Sequence, residues 1–218
     1  MGAFKVKGYK EFLNEKWSGD HISIFDIDDT LVVTAAKIKV YDMQDDTEYS
    51  LTPAEFNKYE RQSHHHVDYS EFDDPNLLLQ GKPIKWVLNI LKKTMNKEKA
   101  VGIITARQDK QLIIDFLKKH DVKINPDFVF AVNDPKTKYK GSNAERKKQA
   151  FKDLIDMGFR DFRFFDDNLD NLEYAKQLEH EYDDVTVETK HIIDKCNAVS
   201  LWAFSLGSKA IGLYNRPK

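Results

Sequence analysis

Ile22-Ser23-Ile24-Phe25-Asp26-Ile27-Asp28-Asp29-Thr30 places three carboxylates in four consecutive positions directly behind an apolar run. A short apolar stretch that ends in acids reads as a buried strand delivering its side chains to the carboxyl edge of a sheet, where open α/β folds keep their ligand sites. Asp26 and Asp28 stand two apart, so on a strand they project to the same side. Carboxylates that close repel, and their pairing calls for a cation.

The pattern recurs downstream. Ala100-Val101-Gly102-Ile103-Ile104 is a second apolar run and ends in Thr105-Ala106-Arg107, while Phe162-Arg163-Phe164-Phe165 is a third and ends in Asp166-Asp167-Asn168-Leu169-Asp170. Between them, residues 142–151 read as the start of an amphipathic helix that carries Lys147 and Lys148. Each group has a plainer reading alone. Thr105 can cap the helix beginning near Asp109, Arg107 and the lysines can be solvated charges, and Asp170 can be a first-turn acid favoured by the helix dipole. Their order and setting carry the argument, since three of the four groups follow apolar strands.

From Lys82 onward helices and strands alternate. Ile84, Val87, Leu88 and Leu91 give one buried stripe to a helix at about 83–95, and Ile113, Ile114, Phe116 and Leu117 give another at 109–119. A strand at 127–132, a helix from about 143 to 157 closed by Gly158, a helix from 170 to about 182 and an edge strand at 185–189 complete the series. This alternation predicts an α/β fold, a Rossmann-like parallel sheet with right-handed crossovers and helices on both faces.

Residues 34–81 break the rhythm. Strand-like stretches at 37–41 and 48–51 suggest a hairpin, and Thr52-Pro53 opens a capped helix running to about Gln62. The expected division is a core of 1–33 and 82–218 with a small cap insertion at 34–81. Adjacent His64, His65 and His66 point in different directions, which favours a loop or shaped surface patch over a single metal site. Residues 4–17 have the spacing of a short helix packed on the core. The tail from about 192 to 218 either packs on the domain or contacts another chain.

Together the motifs resemble those of the haloacid dehalogenase-like (HAD) phosphohydrolases, over roughly residues 20–34 and 82–175. The resemblance implies Asp26 as nucleophile, Asp28 as general acid and base, and Thr30 as a brace for the turn. It makes Thr105 the hydroxyl that holds a phosphoryl oxygen, with Arg107 and Lys148 near the substrate phosphate. The motif lysine is Lys147, with Lys148 as runner-up. Asp26, Asp28, Asp166 and Asp167 become the carboxylates around a Mg²⁺ ion, one of the last two binding through water or a neighbouring hydrogen bond. Asp29 departs mildly from the glycine frequent at that point in the family. The insertion is similar to that of uncharacterised HAD-like proteins of tailed bacteriophages, themselves similar in outline to the phosphatase half of polynucleotide kinase-phosphatases. The implied substrate is a phosphate on a nucleic-acid end, or a nucleotide. A non-catalytic, metal-binding scaffold on the same fold is the alternative.

Bulk properties agree with a globular enzyme. Hydrophobic residues make up 41% of the 218, enough for one sizeable core with a small appended module. The single cysteine, Cys196, excludes an internal disulfide and suits a reducing compartment. No apolar stretch approaches the roughly 18 residues of a membrane span, so a cytoplasmic protein without a membrane partner or an evident obligate protein partner is expected. A net charge of −2 gives no global attraction to nucleic acid, although Lys136, Lys138 and Lys140 cluster in one loop.

Overall fold

A computed structural model describes residues 19–56, 58–97 and 99–193. The helix expected over 4–17 and most of the tail lie outside the described residues. In chain order the elements are β1 (His21–Phe25), β2 (Val32–Val33), β3 (Ile38–Asp42), β4 (Thr47–Leu51), α1 (Pro53–Phe56), β5 (His65–Asp68), a 3₁₀ turn at Ser70–Asp73 and α2 (Pro75–Leu79). There follow β6 (Lys82–Pro83), α3 (Lys85–Asn96), β7 (Ala100–Thr105), α4 (Lys110–Lys119), a 3₁₀ turn at Pro126–Phe128 and β8 (Val129–Ala131). The chain continues through α5 (Asn143–Asp156), β9 (Asp161–Asp166), α6 (Leu169–Lys176), α7 (Leu178–Glu181) and β10 (Thr186–His191).

Five strands form a parallel sheet in the order β10-β9-β1-β7-β8. Side-chain alternation sorts its residues onto two faces. Phe25, Val101, Ile103, Val129 and Phe165 pack with α3 and α4 through Val87, Leu91, Ile113 and Phe116. Ile22, Ile24, Ile104, Phe162 and Phe164 pack with α5, α6 and α7 through Phe151, Leu154, Leu172 and Leu178. Helices therefore cover both faces, which is why these strands read as largely apolar runs, Ser23 and Arg163 aside. Gly102 serves this packing: a Cβ there would lie 2.8 Å from Ile24 Cδ1 and 3.0 Å from the Phe128 carbonyl oxygen.

From β1 the chain crosses to β7 and β8 on one side, then returns to β9 on the other. The crevice at the carboxyl ends of β1 and β9 is thus the place where the winding reverses, the usual ligand position in such sheets.

The segment after β1 forms small antiparallel sheets. β2 pairs with β6, Val32 opposite Pro83 and Val33 opposite Lys82, closing the base of the insertion. Above this clasp β3 lies between β4 and β5. The expected hairpin is therefore a three-stranded sheet, whose third strand begins in the histidine run. The helix expected to reach Gln62 ends at Phe56, and the one expected over 170–182 is two helices, α6 and α7. The strand expected over 127–132 is a 3₁₀ turn followed by three strand residues. Among the described residues no helix is long and apolar enough to cross a membrane.

Candidate active site

The register of β1 against β9 builds the site. Phe25 pairs with Phe165, and their rings stack at 4.4 Å with planes 4° apart. The next residues, Asp26 and Asp166, are thereby set side by side, and Asp26 N–H donates to the Phe165 carbonyl at 3.0 Å. By alternation both acids point to the face covered by α5. Lys147 stands on that helix in the buried stripe of Ala144, Ala150, Phe151, Leu154 and Ile155. Its start is secured by a reciprocal capping box between Ser142 and Glu145.

Lys147 Nζ lies 2.9 Å from Asp26 Oδ1 and 2.7 Å from Asp166 Oδ2, and its side chain is only 3% exposed. Burial pushes the Asp26 carboxyl well above the usual carboxylate range; Lys147 opposes this, and Asp166, Asp167 and Asp28 add to it. For Lys147 burial works to lower the pKa, but Asp166 and Asp26 outweigh it and hold the ammonium above lysine's ordinary value. One ammonium thus serves two buried carboxylates.

Asp167 completes the group. One carboxylate oxygen from each of Asp26, Asp166 and Asp167 lies within 4.8 Å of the others, a donor set of hard oxygens suited to a small divalent cation. Asp166 is fully buried and heavily bonded, accepting from Lys147, from the Asn168 backbone N–H at 2.9 Å and from Asn171 Nδ2 at 3.0 and 3.1 Å. Asp167 lies nearer solvent.

Asp28 is not among the three carboxylates that converge within 4.8 Å, although its charge acts on Asp26. Both its oxygens accept from Arg107, Nε at 2.9 Å and Nη2 at 2.8 Å, in a two-pronged fork. The third prong, Nη1, donates to the Phe72 carbonyl, and the guanidinium lies over the Phe72 ring at 5.7 Å. Beside it Gln108 Nε2 donates to Asp73 Oδ2 at 3.0 Å. Arg107 therefore joins Asp28 to the 3₁₀ turn of the insertion through three of its five N–H donors. Thr105 is buried at the end of β7, where its Oγ1 accepts from the Arg107 backbone N–H at 3.4 Å, leaving the hydroxyl proton to donate.

The turn after β1 explains the departure at Asp29. Its φ is +56°, a left-handed conformation that aspartate tolerates better than most residues. The loop is closed by backbone bonds, Asp29 N–H to the Val32 carbonyl at 2.8 Å and Leu31 N–H to the Ile27 carbonyl at 2.8 Å. Thr30 is fully buried, and its Oγ1 has no hydrogen-bond partner among the described residues. Thr30 takes part in the turn through its backbone N–H, which donates to the Ile27 carbonyl at 3.3 Å.

Lys148 stands away from the carboxylates, with Nζ 2.8 Å from Gln177 Oε1 and 2.5 Å from Glu181 Oε1. Of the two lysines, Lys147 is the one that meets Asp26 and Asp166; the sequence reading left Lys148 as runner-up. Asn171 escaped the sequence reading. A signal existed: it follows the cap Asn168 by three residues on a helix opening directly after the acids.

No protein-family model matches the chain, and a search of curated proteins finds no significant match. The molecule is a parallel α/β protein with an antiparallel insert after its first strand and a buried acidic group at the sheet's carboxyl edge.

Proposed function

We propose that the protein is a Mg²⁺-dependent phosphomonoester hydrolase of the HAD-like type, working through an aspartyl-phosphate on Asp26. The observation that carries this reading is the meeting of Asp26 and Asp166 over Lys147, with Asp167 beside them. Asp26, Asp166 and Asp167 would hold the ion, which when bound neutralises charge on the nucleophile and the phosphate.

In this reading an Asp26 oxygen attacks phosphorus while the bond to the leaving oxygen breaks, and Asp28 gives that oxygen its proton. Asp28 then takes a proton from the water that attacks the acyl phosphate, releasing inorganic phosphate and restoring Asp26. Lys147 offsets the charge that would otherwise repel the substrate, and the Thr105 hydroxyl donates to a phosphoryl oxygen. Arg107 holds both Asp28 oxygens, so one of the two bonds has to open when Asp28 carries the proton it gives the leaving group. The bonds of Arg107 to Asp28 and to the Phe72 carbonyl link the acid to the insertion, and the remaining N–H donors of the guanidinium would meet a phosphate oxygen.

The substrate class follows charge. Residues 34–81 hold ten Asp and Glu against four Lys and Arg, a poor track for a polyanion. A nucleic-acid end or nucleotide would present its terminal phosphate here and leave along the loop that carries Lys136, Lys138 and Lys140.

The test is hydrolysis of an aryl phosphate with Mg²⁺, with chelator and with Asp26→Asn. Expected is turnover that needs the ion and falls on the order of 10⁴-fold or more in the variant. Turnover unchanged in Asp26→Asn sinks the nucleophile assignment, and no turnover on aryl phosphate or on any phosphorylated oligonucleotide, nucleotide or sugar leaves the non-catalytic scaffold standing.

A further inference from the structure

The insertion holds a second convergence of donors, independent of the first. Asp42 ends β3 and lies directly opposite His65, the first residue of β5, so the two side chains share a face of the small sheet. His66 is displaced to the other face, near Tyr41, with ring centroids 6.2 Å apart. His64 precedes the strand, in the turn, and its ring swings back to the same carboxylate. The neighbouring histidines diverge only where strand alternation separates them, between 65 and 66.

His64 Nε2 lies 3.4 Å and His65 Nε2 3.3 Å from Asp42 Oδ2. Both distances exceed the usual N–H···O hydrogen bond of about 2.7–3.2 Å. They match the edge of a tetrahedron whose metal–ligand bonds are about 2.0–2.1 Å, which is about 3.3–3.4 Å. One donor atom from each of the three residues lies within 4.8 Å of the others.

The surroundings are those of ligand side chains held in place. Asp42 Oδ1 accepts the Gln44 backbone N–H at 2.8 Å, which leaves Oδ2 to face the imidazoles. His65 Nδ1 lies 2.9 Å from the Tyr59 hydroxyl and 3.1 Å from the Gln62 backbone N–H. The Gln62 N–H donates to Nδ1, which without metal leaves the ring proton on Nε2 toward Asp42; a metal on Nε2 takes that proton's place, moving the N–H to Nδ1 to face Tyr59 Oη at the cost of the Gln62 bond. The Asp42 and His65 side chains are 11% and 8% exposed and that of His64 is 27%, so the three are anchored on one side and open to water on the other.

We infer that Asp42, His64 and His65 form a binding site for a borderline transition-metal ion, Zn²⁺ or a neighbour in the divalent series, with a solvent molecule as fourth ligand. Two imidazoles and one carboxylate favour such ions over Mg²⁺, which prefers the all-oxygen group at the core. A bound ion ties β3 to β5 and stiffens the insertion. The inference does not depend on the phosphatase reading.

The experiment is calorimetric titration of the full, chelator-stripped chain with Zn²⁺ in excess Mg²⁺, paired with Co²⁺ titration read by its visible absorption. Expected is one Zn²⁺ per chain and the intense visible band of four-coordinate Co²⁺. Affinity should fall at least about tenfold in His64→Ala, in His65→Ala and in the near-isosteric Asp42→Asn, and stay unchanged in Asp26→Asn. Failure to take up either ion, uptake indifferent to the histidine substitutions, or uptake lost in Asp26→Asn would each overturn the assignment. Circular dichroism of Asp42→Asn separates ligand loss from unfolding.

Discussion

The two main sheets of this molecule handle their side chains in opposite ways. In the parallel sheet every residue of β7 is buried, whereas Thr47, Glu48, Tyr49 and Ser50 of β4 in the insertion are all exposed. A core strand is gripped on both faces, so a residue at its tip inherits the register of everything behind it; the stacked Phe25 and Phe165 fix where Asp26 and Asp166 meet. The insertion buries fewer residues, Ile38 and Val40 of β3 among them, and backbone pairing brings some of its polar side chains together, as at Asp42 and His65. Position is set by packing in the first case and by pairing in the second.

The comparison can be broken most sharply at Lys147. In Lys147→Ala the buried Asp26 and Asp166 lose their shared cation, and a loss of about 3–5 kcal/mol is expected in metal-free urea denaturation. Added Mg²⁺ should restore part of it. A metal-free loss below about 1 kcal/mol, the scale of an exposed pair, would mean that the ammonium does not hold the group together.

Gly102→Ala probes the grip of the core itself. Its new methyl meets Ile24 and the Phe128 carbonyl, and overpacking should cost about 1–3 kcal/mol by the same measurement.

The pH dependence sharpens the contrast further. Asp26 holds its proton more tightly folded than unfolded, so the folded state carries a proton that the unfolded chain has already released. Without metal, its contribution to stability therefore falls as pH rises from the ordinary aspartate pKa, about 3.9, through the raised folded value. Mg²⁺ competes with that proton, and its affinity should weaken about tenfold per pH unit below the raised pKa. Thermal melts across pH with and without Mg²⁺ check both signs; parallel curves contradict them.

At the small end stands Tyr49 on the exposed face of β4, 40% accessible. Tyr49→Ser should change stability by no more than about 0.5 kcal/mol. A larger loss would show that Tyr49 packs against Val40, its buried partner across the ladder.

Much of the site was legible in the chain because of how the core is built. Asp26, Thr105 and Asp166 each follow an apolar run, and a strand buried on both faces has to be such a run. Lys147 was only half legible, favoured over Lys148 by the resemblance alone, although a signal existed in its sharing the helical phase of Phe151 and Leu154. The role of Arg107 was not legible: its fork with Asp28 spans residues far apart in sequence, and its third contact is a backbone carbonyl, which carries no side-chain signature. The third strand of the insertion was missed for a related reason, because Val67 is the sole aliphatic residue in β5 and the histidines around it read as a loop.

The amino-acid order alone determined which segments are buried strands and which acids stand at their ends, because burial on two faces leaves a largely apolar record. Which side chains then touch was decided only in three dimensions. Crossovers of many residues bring Asp26, Lys147 and Asp166 to one crevice, and strand register and turn geometry turn two neighbouring histidines toward one aspartate while sending a third away. These are consequences of long-range closure and pairing, which no local pattern of residues encodes.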